Sequence, residues 1–278
     1  MTKVFTIVFT IPDHFATIED CISAQGIIID FTNTLGEGGF RTVFKALDKE
    51  NGRVVAAKRL ELSSTLYMKN ENKFQNLKNE LFILTKAQGN DNIINVFKHF
   101  IIKDNDLCKQ YCFIIMEYAN GGSLLNRCIS DGSFKPIPER KCRQIFKQMA
   151  DGLFFLHIKL KIAHKDIKLG NFLIVKIKGD HVIKISDFGI SRIGYDSTNM
   201  EVMKDVEAVG SYEYMSPQVF KLWIYSNHGI EVEKRRQYNA YIADMWALGV
   251  CLFVMVCAKY PFKCNPFEAT DCEGCSTK

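Results

Sequence analysis

Two short stretches of the sequence contain aspartates that could face phosphate or metal charge. The first, HKDIKLGN at residues 164–171, combines Asp166 with Lys168 and Asn171. The second, SDFGIS at residues 186–191, places Asp187 before a phenylalanine and a glycine. Carboxylate and amide oxygens are ligands for Mg²⁺, and a positioned carboxylate can accept a proton. Taken singly, each aspartate is equally well explained as a helix cap or a turn former.

A glycine-rich stretch, LGEGGFRTV at residues 35–43, lies between two predicted strands. Its glycines let the backbone approach a ligand closely and present N–H groups to anionic oxygens, although a plain hairpin turn has the same composition. The next strand ends in Lys58, and Glu80 on the following helix is an available counter-charge. A lone lysine at a strand end is usually solvated. A buried Lys58–Glu80 pair adds little net stability, so its presence would favour a functional role.

The elements that would position these residues change character along the chain. Three segments, IIIDFTNTLG, RTVFKALD and RVVAAKRL, predict antiparallel strands joined by turns. Helical spacing follows over residues 67–88, and NVFKHFII and YCFIIMEY predict two further strands. Beyond a joint at residues 117–120, the pattern predicts a helix over residues 138–159 and a final apolar helix from Asp244. The fold class is therefore α+β, with a strand-rich lobe followed by a helix-rich lobe.

Composition argues against several classes of protein. The chain has 278 residues, 47% of them hydrophobic, and its net charge of +5 includes no dense basic stripe of the kind that binds nucleic acid. Its ten cysteines are scattered, some within apolar runs, which indicates reduced thiols in an intracellular, cytoplasmic compartment. Cys264, Cys272 and Cys275 lack a nearby fourth ligand for a structural zinc site.

Two apolar segments bear on membrane association. The opening MTKVFTIVFTIPDH is interrupted by threonine and stopped by Pro12-Asp13, which predicts a short strand rather than a signal peptide. The segment MWALGVCLFVMVCA, residues 245–258, is too short to span a bilayer and predicts a helix buried on all sides. We therefore expect a soluble protein with no membrane partner and no nucleic-acid partner.

The order of these features resembles the eukaryotic protein kinase family over residues 30–262. Five features occur at family-like separations: a glycine turn, a strand lysine, a helix glutamate, HKD with its asparagine, and DFG. Their occurrence together leaves the probability of coincidence negligible. The resemblance implies a two-lobed kinase-like fold. The N-lobe, residues 30–119, would be an antiparallel sheet with one helix. The C-lobe, residues 120–278, would be mainly helical and lack its last helices, and residues 1–29 would be an N-terminal extension.

The resemblance also implies catalytic roles in phosphoryl transfer from Mg²⁺-ATP, where positioning and charge neutralisation do most of the catalysis. Asp187 and Asn171 would hold magnesium. Asp166 would orient or accept the proton of the attacking hydroxyl, and Lys168 would steady the transferring phosphate. Lys58 would contact the α- and β-phosphates, and Glu80 would orient Lys58. The implied catalytic residues are Asp166, Lys168, Lys58 and Glu80.

By the same resemblance, a phosphate loop and an apolar pocket would bind the nucleotide. The pocket would have a roof, a floor and a back wall of apolar side chains, with backbone groups of Glu117 and Ala119 bonding the base. Together the implied nucleotide-binding residues are Leu35, Gly36, Glu37, Gly38, Gly39, Val43, Ala56, Lys58, Met116, Glu117, Ala119 and Leu173.

Two features imply a serine/threonine kinase acting on protein substrates. DIKLGN carries the lysine typical of that class, and GSYEYMSPQ places Ser211 where its members hold a hydroxyl that bonds Asp166 and Lys168. The alternative is a pseudokinase or catalytically weak fragment that binds nucleotide or protein as a scaffold. A small-molecule kinase is disfavoured by GSYEYMSPQ, a segment that serves peptide substrates in the family.

Three residues depart from the family pattern. Arg41 replaces the third glycine of the phosphate loop, Lys165 the arginine of HRD, and Gln218 the glutamate of APE. Lysine lacks the bidentate fork of arginine, which weakens the case for switching by phosphorylation at Ser197 or Thr198. After YPF the chain is shorter than the family pattern, so we expect either a fragment or a kinase with a pared-down C-terminal lobe. We expect this to expose a flank of the final helix, giving poor solubility or a partner that covers it.

Overall fold

The structure is a computed structural model, and its described residues form two compact units. The first unit is drawn from residues 1–121 and 174–189, and the second from residues 122–173 and 190–278. The residues described are 7–10, 17–38, 41–62, 71–104, 109–130, 132–194, 204–205, 207–227 and 237–262.

A six-stranded sheet is the frame of the first unit. Its strands are β1 (Ile7–Thr10), β2 (Ile27–Gly38), β3 (Arg41–Asp48), β4 (Arg53–Glu61), β5 (Val96–Asp104) and β6 (Lys109–Glu117). Their order in the sheet is β1-β5-β6-β4-β3-β2, and they pair antiparallel except for β1 and β5, which run parallel. The five strands predicted within the first lobe are confirmed, as is the short N-terminal strand, which adds a parallel edge to the sheet.

An N-terminal helix that the sequence pattern did not reveal, α1 (Ile18–Ala24), packs on one face of this sheet. Thr17 caps it, because its side chain accepts a hydrogen bond from the backbone N–H of Asp20 at 3.1 Å. Cys21 and Ile22 are buried in the same apolar cluster as Val55 and other inward-facing strand residues. Part of the segment expected to be an extension therefore belongs to the core of the first unit.

The second helix, α2 (Glu71–Lys86), lies within the helix predicted over residues 67–88. Leu77, Ile83 and Leu84 are buried, as their spacing on one helical face requires. Glu80 lies on the same helix and contacts Lys58 of β4. Because side chains alternate along a strand, Lys58 is on the sheet face opposite the one that packs on α1. Residues 67–70 lie outside the described part of the chain.

A hairpin of β10 (Phe172–Ile177) and β11 (Asp180–Ile185) joins the first unit from Ile174 onward. Both backbone polar groups of Ile185 form hydrogen bonds. Its N–H donates to the carbonyl of Asn92 at 2.8 Å, and its carbonyl accepts from the N–H of Ile94 at 3.0 Å. These bonds fix the end of β11, which leads directly to Asp187.

Helices dominate the second unit. The helix predicted over residues 138–159 is confirmed, with Met149, Leu153 and Leu156 buried and its last turn π-helical. The helices are α3 (Leu124–Cys128), α4 (Glu139–Phe154) with the π turn Phe155–Lys159, α5 (Pro217–Asn227) and α6 (Ala240–Cys257). Short strands pair as β7 (Ile129–Ser130) with β8 (Ser133–Phe134), β9 (Ile162–Ala163) with β12 (Arg192–Ile193), and β13 (Lys204–Asp205) with β14 (Tyr238–Asn239).

Helix α6 differs from its prediction in where it begins and in how it is buried. It begins at Ala240 rather than at Asp244, because the side chain of Asn239 accepts from the N–H groups of Tyr241 at 2.9 Å and of Ile242 at 3.3 Å. The prediction of burial on all sides is wrong. One face is buried, whereas the other is exposed at Ile242, Met245, Phe253 and Val256.

The length of α6 also corrects the view that its segment is too short for a bilayer. At 18 residues and a mean hydropathy of 2.0, it is long and apolar enough to cross a membrane by length and composition alone. A core helix passes the same test. Eight of its residues are buried within the second unit, including Asp244, whose carboxylate binds backbone N–H groups of that unit.

We expect Ile22→Ala to lower the free energy of unfolding by about 2–5 kcal/mol, because it removes buried methyl groups and leaves a cavity between α1 and the sheet. Urea unfolding monitored by circular dichroism measures this. Ile28→Ala is the matched control, since Ile28 is exposed, and it should change stability by no more than about 0.5 kcal/mol. Equal effects of the two substitutions would show that α1 does not contribute to the core.

Candidate functional site

A buried ion pair lies on the α2 side of the sheet in the first unit. Lys58 Nζ lies 2.6 Å from Glu80 Oε1 and 3.0 Å from Asp187 Oδ1. Lys58 and Glu80 are buried, whereas the Asp187 side chain is 36% exposed. Burial alone would lower the pKa of Lys58, but the charges of Glu80 and Asp187 outweigh it, so the pKa is raised. Lys58 is therefore a fixed cation beside a partly exposed carboxylate.

Three of the implied nucleotide-binding residues share a sheet face with Lys58. Ala56 and Lys58 are two residues apart on β4, so their side chains point to the same side. Val43 of β3 is directly opposite Lys58, and Met116 of β6 is opposite Ala56. Because directly opposed residues share a face, the structure brings these four side chains to one surface of the sheet.

The glycine-rich stretch forms the end of β2. Gly36 pairs with Val43, and the register of the β2–β3 ladder shifts between Thr34 and Gly36, which places Leu35 at an irregularity. Glu37 and Gly38 complete the strand, opposite Thr42 and Arg41. Gly39 lies outside the described residues.

Glu117 is held by bonds that the sequence does not reveal. Its backbone N–H donates to the carbonyl of Asn95 at 2.9 Å, so this group cannot also donate to a base. Its carboxylate accepts from Asn95 Nδ2 at 3.0 Å and contacts the buried Lys184 at 3.2 Å. Ala119 follows the end of β6. Leu173 lies in the second unit, where it forms a β-bridge with Ser123.

Four donors hold the Asp166 carboxylate in the second unit. Oδ1 accepts from the backbone N–H of Ser211 at 3.1 Å and from its hydroxyl at 3.0 Å. Oδ2 accepts from Lys168 Nζ at 2.8 Å and from Asn171 Nδ2 at 3.1 Å. Lys168 Nζ also donates to Ser211 Oγ at 2.9 Å. The predicted contact of Ser211 with Asp166 and Lys168 is thus confirmed, and the carboxylate has one fixed orientation.

The segment that carries Asp166 is anchored by Asp244 of α6. Asp244 Oδ2 accepts from the N–H of His164 at 2.7 Å, and Oδ1 accepts from the N–H of Lys165 at 2.8 Å. His157 Nε2 lies 2.9 Å from Asp244 Oδ2 and belongs to the π-helical turn, an irregularity that is frequent at functional sites. Lys165 has φ +68°, a conformation that costs energy for a residue with a Cβ and is maintained here by these bonds.

Lys165 is also the centre of a second buried ion pair, which sequence reasoning missed. Its Nζ lies 2.6 Å from Asp205 Oδ2 and 3.1 Å from Glu207 Oε2, and Arg192 contacts Asp205 Oδ1 at 2.7 Å. Burial raises the pKa of Asp205, but the charge of Lys165 outweighs it and the pKa is lowered. The lysine of HKD therefore already has carboxylate partners within the chain. Ser197 and Thr198, for which the sequence gives only weak support as phosphorylation sites, lie outside the described residues.

Gly210 explains how the Ser211 segment approaches Asp166 so closely. It has φ +110°, and a Cβ at this position would lie 2.7 Å from the carbonyl oxygen of Lys165, so only glycine fits. A small cavity of about 30 Å³ adjoins this contact, lined by Asp166 and Ser211 and by apolar side chains such as Met215, Val219 and Ala247.

The two residue types implied as magnesium ligands, an aspartate and an asparagine, suit that ion. In the described part of the chain, no three or more His, Cys, Asp or Glu side chains group as metal ligands. Mg²⁺ usually takes one or two protein oxygens and completes its shell with substrate phosphates and water. Asp187, in the first unit, offers a carboxylate oxygen of this kind, and Asn171, in the second unit, offers an amide oxygen. The three C-terminal cysteines considered for zinc lie outside the described residues.

The antiparallel sheet of the first unit and the helices of the second agree with a protein kinase fold. A sequence model described as protein kinase domain matches residues 29–274, most of the chain. The chain therefore belongs to the protein kinase family, as its motif order implied.

Individual relatives place it near serine/threonine kinases. The calcium-dependent protein kinase 29 of Arabidopsis thaliana is 29% identical over 235 residues, which cover 84% of this chain and 38% of the relative. The probable serine/threonine-protein kinase fhkA of Dictyostelium discoideum is 31% identical over 246 residues, covering 84% and 39%. The serine/threonine-protein kinase cds1 of Schizosaccharomyces pombe is 29% identical over 245 residues, covering 88% and 48%. The chain spans less than half the length of each of these relatives.

We expect Asp205→Asn to lower the free energy of unfolding at neutral pH by about 3 kcal/mol or more, because it leaves the charge of Lys165 poorly compensated in a buried site. The lowered pKa of Asp205 means that its stabilisation is present above the ordinary value of 3.8 and is lost as the pH falls through the folded-state pKa. The difference between wild type and variant should therefore shrink below pH 3.8.

Urea unfolding in steps from pH 7 towards pH 3 tests this. Asp151→Asn is the matched control, since Asp151 forms an exposed lysine–aspartate pair with Lys147 at 2.6 Å. That variant should lose no more than about 0.5 kcal/mol, because exposed pairs of this kind contribute little. An Asp205→Asn effect no larger than the control would contradict a structural role for the buried pair.

Proposed function

We propose that this chain transfers the γ-phosphoryl group of ATP to serine and threonine hydroxyls of protein substrates, with Mg²⁺ as the metal. The observation that supports it best is the Asp166 carboxylate, held by Ser211, Lys168 and Asn171. A carboxylate fixed in this way is suited to orient a substrate hydroxyl and to accept its proton. Membership of the protein kinase family and the names of two of the relatives support the same activity.

Each charged side chain has a task that its surroundings favour. Asp166 points its oxygens at fixed donors, so little reorganisation is needed when a hydroxyl approaches. Lys168 carries a positive charge beside Asp166, which would offset the negative charge of a transferring phosphoryl group. Lys58, kept charged and immobile by Glu80, would bind phosphate oxygens of the nucleotide.

Asp187 and Asn171 would hold Mg²⁺. When bound, the ion would neutralise negative charge on the nucleotide phosphates. The chain contributes oxygen ligands and orients them: Asp187 has φ +62° at the end of the β10–β11 hairpin, and Asn171 is fixed by its bonds to Asp166.

The alternative of an inactive scaffold has no observation in its favour among the described residues, which include the strand lysine and both aspartates. We further propose a cytoplasmic location. It is supported by the described cysteines, all of which are unpaired thiols and most of which are buried.

We also propose that a partner protein covers an apolar stripe on α6. The stripe consists of Ile242, Met245, Phe253 and Val256, which recur at helical spacing and are all exposed. Contiguous exposed apolar residues commonly mark a contact site.

Asp166→Asn should reduce phosphate transfer about 10²- to 10⁴-fold, because the amide cannot act as a base. The measurement is transfer of labelled phosphate from Mg²⁺-ATP to a generic protein substrate, followed by phosphoamino-acid analysis. Circular dichroism should show both proteins equally folded. No transfer by a well-folded wild type would reject the kinase function and favour the scaffold.

Ser211→Ala should lower kcat about tenfold, since it removes one hydrogen bond to a charged carboxylate. Ser211→Thr keeps the hydroxyl and should restore most of the rate. A purely structural role for Ser211 would instead lower thermal stability without such rescue. If both variants are as active as wild type, Ser211 does not position Asp166.

The stripe on α6 is tested with the double variant Met245→Lys and Phe253→Lys. Wild type should bind a hydrophobic dye and associate with increasing concentration in light scattering, and the variant should do neither. Wild type that stays monodisperse and binds no dye would reject the partner surface. Binding to neutral lipid vesicles that the variant loses would indicate a membrane surface and also contradict it.

A further inference from the structure

Arg41, which stands where the family pattern has its third glycine, contacts the carboxylate assigned to magnesium. Arg41 Nη1 lies 2.9 Å from Asp187 Oδ1, the same oxygen that Lys58 Nζ contacts at 3.0 Å. Two cations therefore converge on one carboxylate oxygen. The Arg41 side chain is 35% exposed, so it remains accessible to a ligand from solvent.

The backbone of Arg41 is well positioned for this contact. Arg41 is the first residue of β3 and pairs with Gly38 on one side and with Leu60 on the other. A Cβ at Gly189 would overlap the guanidinium, so the arginine lies against the glycine of the DFG sequence. The guanidinium is thus packed between the start of β3 and the segment that follows β11.

The charges of this cluster balance only because Arg41 is present. Lys58 and Arg41 carry two positive charges, and Glu80 and Asp187 carry two negative ones. With glycine at position 41, the cluster would keep one net negative charge and attract a divalent cation more strongly. A fixed guanidinium opposes a second cation but attracts phosphate, for which its planar fork of donors is well matched.

We propose that Arg41 supplies a fixed positive charge to nucleotide phosphates, and so makes nucleotide binding by this chain less dependent on Mg²⁺ than glycine at position 41 would. This rests on the proposed ATP binding. The arginine carries out part of the charge neutralisation that otherwise falls to the metal, and it competes with the metal for Asp187.

The test compares the Kd of ATP in excess Mg²⁺ with the Kd in EDTA, measured by isothermal titration calorimetry. The proteins are wild type, Arg41→Gly, Arg41→Gln and Arg41→Lys. The ratio of the EDTA value to the Mg²⁺ value should be about tenfold larger for the glycine and glutamine variants, the effect expected for losing one hydrogen bond between charged groups. Arg41→Lys keeps the charge and should give an intermediate ratio.

Arg53→Gln is the matched control. Arg53 also lies on this sheet and pairs with an aspartate, with its Nε 3.1 Å from Asp48 Oδ2, so the variant removes the same charge elsewhere. Its Kd ratio should equal that of wild type. Thermal unfolding without nucleotide verifies that each variant is folded, and the glutamine variant keeps most of the side-chain volume.

The outcomes separate the two proposals. If wild type binds ATP and the glycine and glutamine variants keep its Kd ratio, the role of Arg41 is rejected while ATP binding stands. If Arg53→Gln changes the ratio as much as they do, the effect is one of overall charge and the role is also rejected. If wild type binds no ATP in Mg²⁺, both proposals are rejected.

Discussion

The need to compensate a buried positive charge organises each unit of this protein. In the first unit, Lys58 is buried on β4 and requires carboxylates within reach, which α2 supplies through Glu80 and the β10–β11 hairpin through Asp187. Leaving such a charge unpaired would cost several kcal/mol. The positions of a helix and of a hairpin distant in sequence are thus coupled to one lysine. The second unit repeats the principle with Lys165 and Asp205.

In the second unit, the orientation of Asp166 depends on buried polar groups that form hydrogen bonds with one another. Asp244 is buried, and its oxygens are satisfied by the backbone of His164 and Lys165. That arrangement holds the segment on which Asp166 lies, and Asp166 in turn uses its oxygens for Ser211, Lys168 and Asn171. Buried acceptors that find donors stabilise the fold, and here they also fix the geometry on which proton transfer would depend.

Two residues that depart from the family pattern, Arg41 and Lys165, both lie in clusters of charged side chains. Arg41 neutralises the cluster at Asp187, while Lys165 is saturated by carboxylates of its own chain. At both positions, the cation is paired with a carboxylate of the same chain.

Periodicity in the sequence was enough to predict the strands of the first unit and two of the longer helices, and the family resemblance carried by the motifs implied the contact of Ser211 with Asp166. These depend on local patterns and on short motifs whose spacing is read along the chain. The π turn that presents His157 to Asp244, the pairing of Lys165 with Asp205 and the packing of α1 were not predictable in this way. They join residues separated by many positions, and no local pattern encodes them.

The exposed face of α6 is another feature that the sequence alone did not predict. Its composition alone indicates a helix, because fourteen consecutive residues are mostly apolar. Composition cannot tell which of those residues are covered, since burial depends on which other segments pack against each face. The sequence by itself determined the family, most of the longer helices and strands, and the types of reactive residues. Only the tertiary structure decided which charges meet and which apolar surfaces stay open, because both depend on contacts between segments distant in the chain.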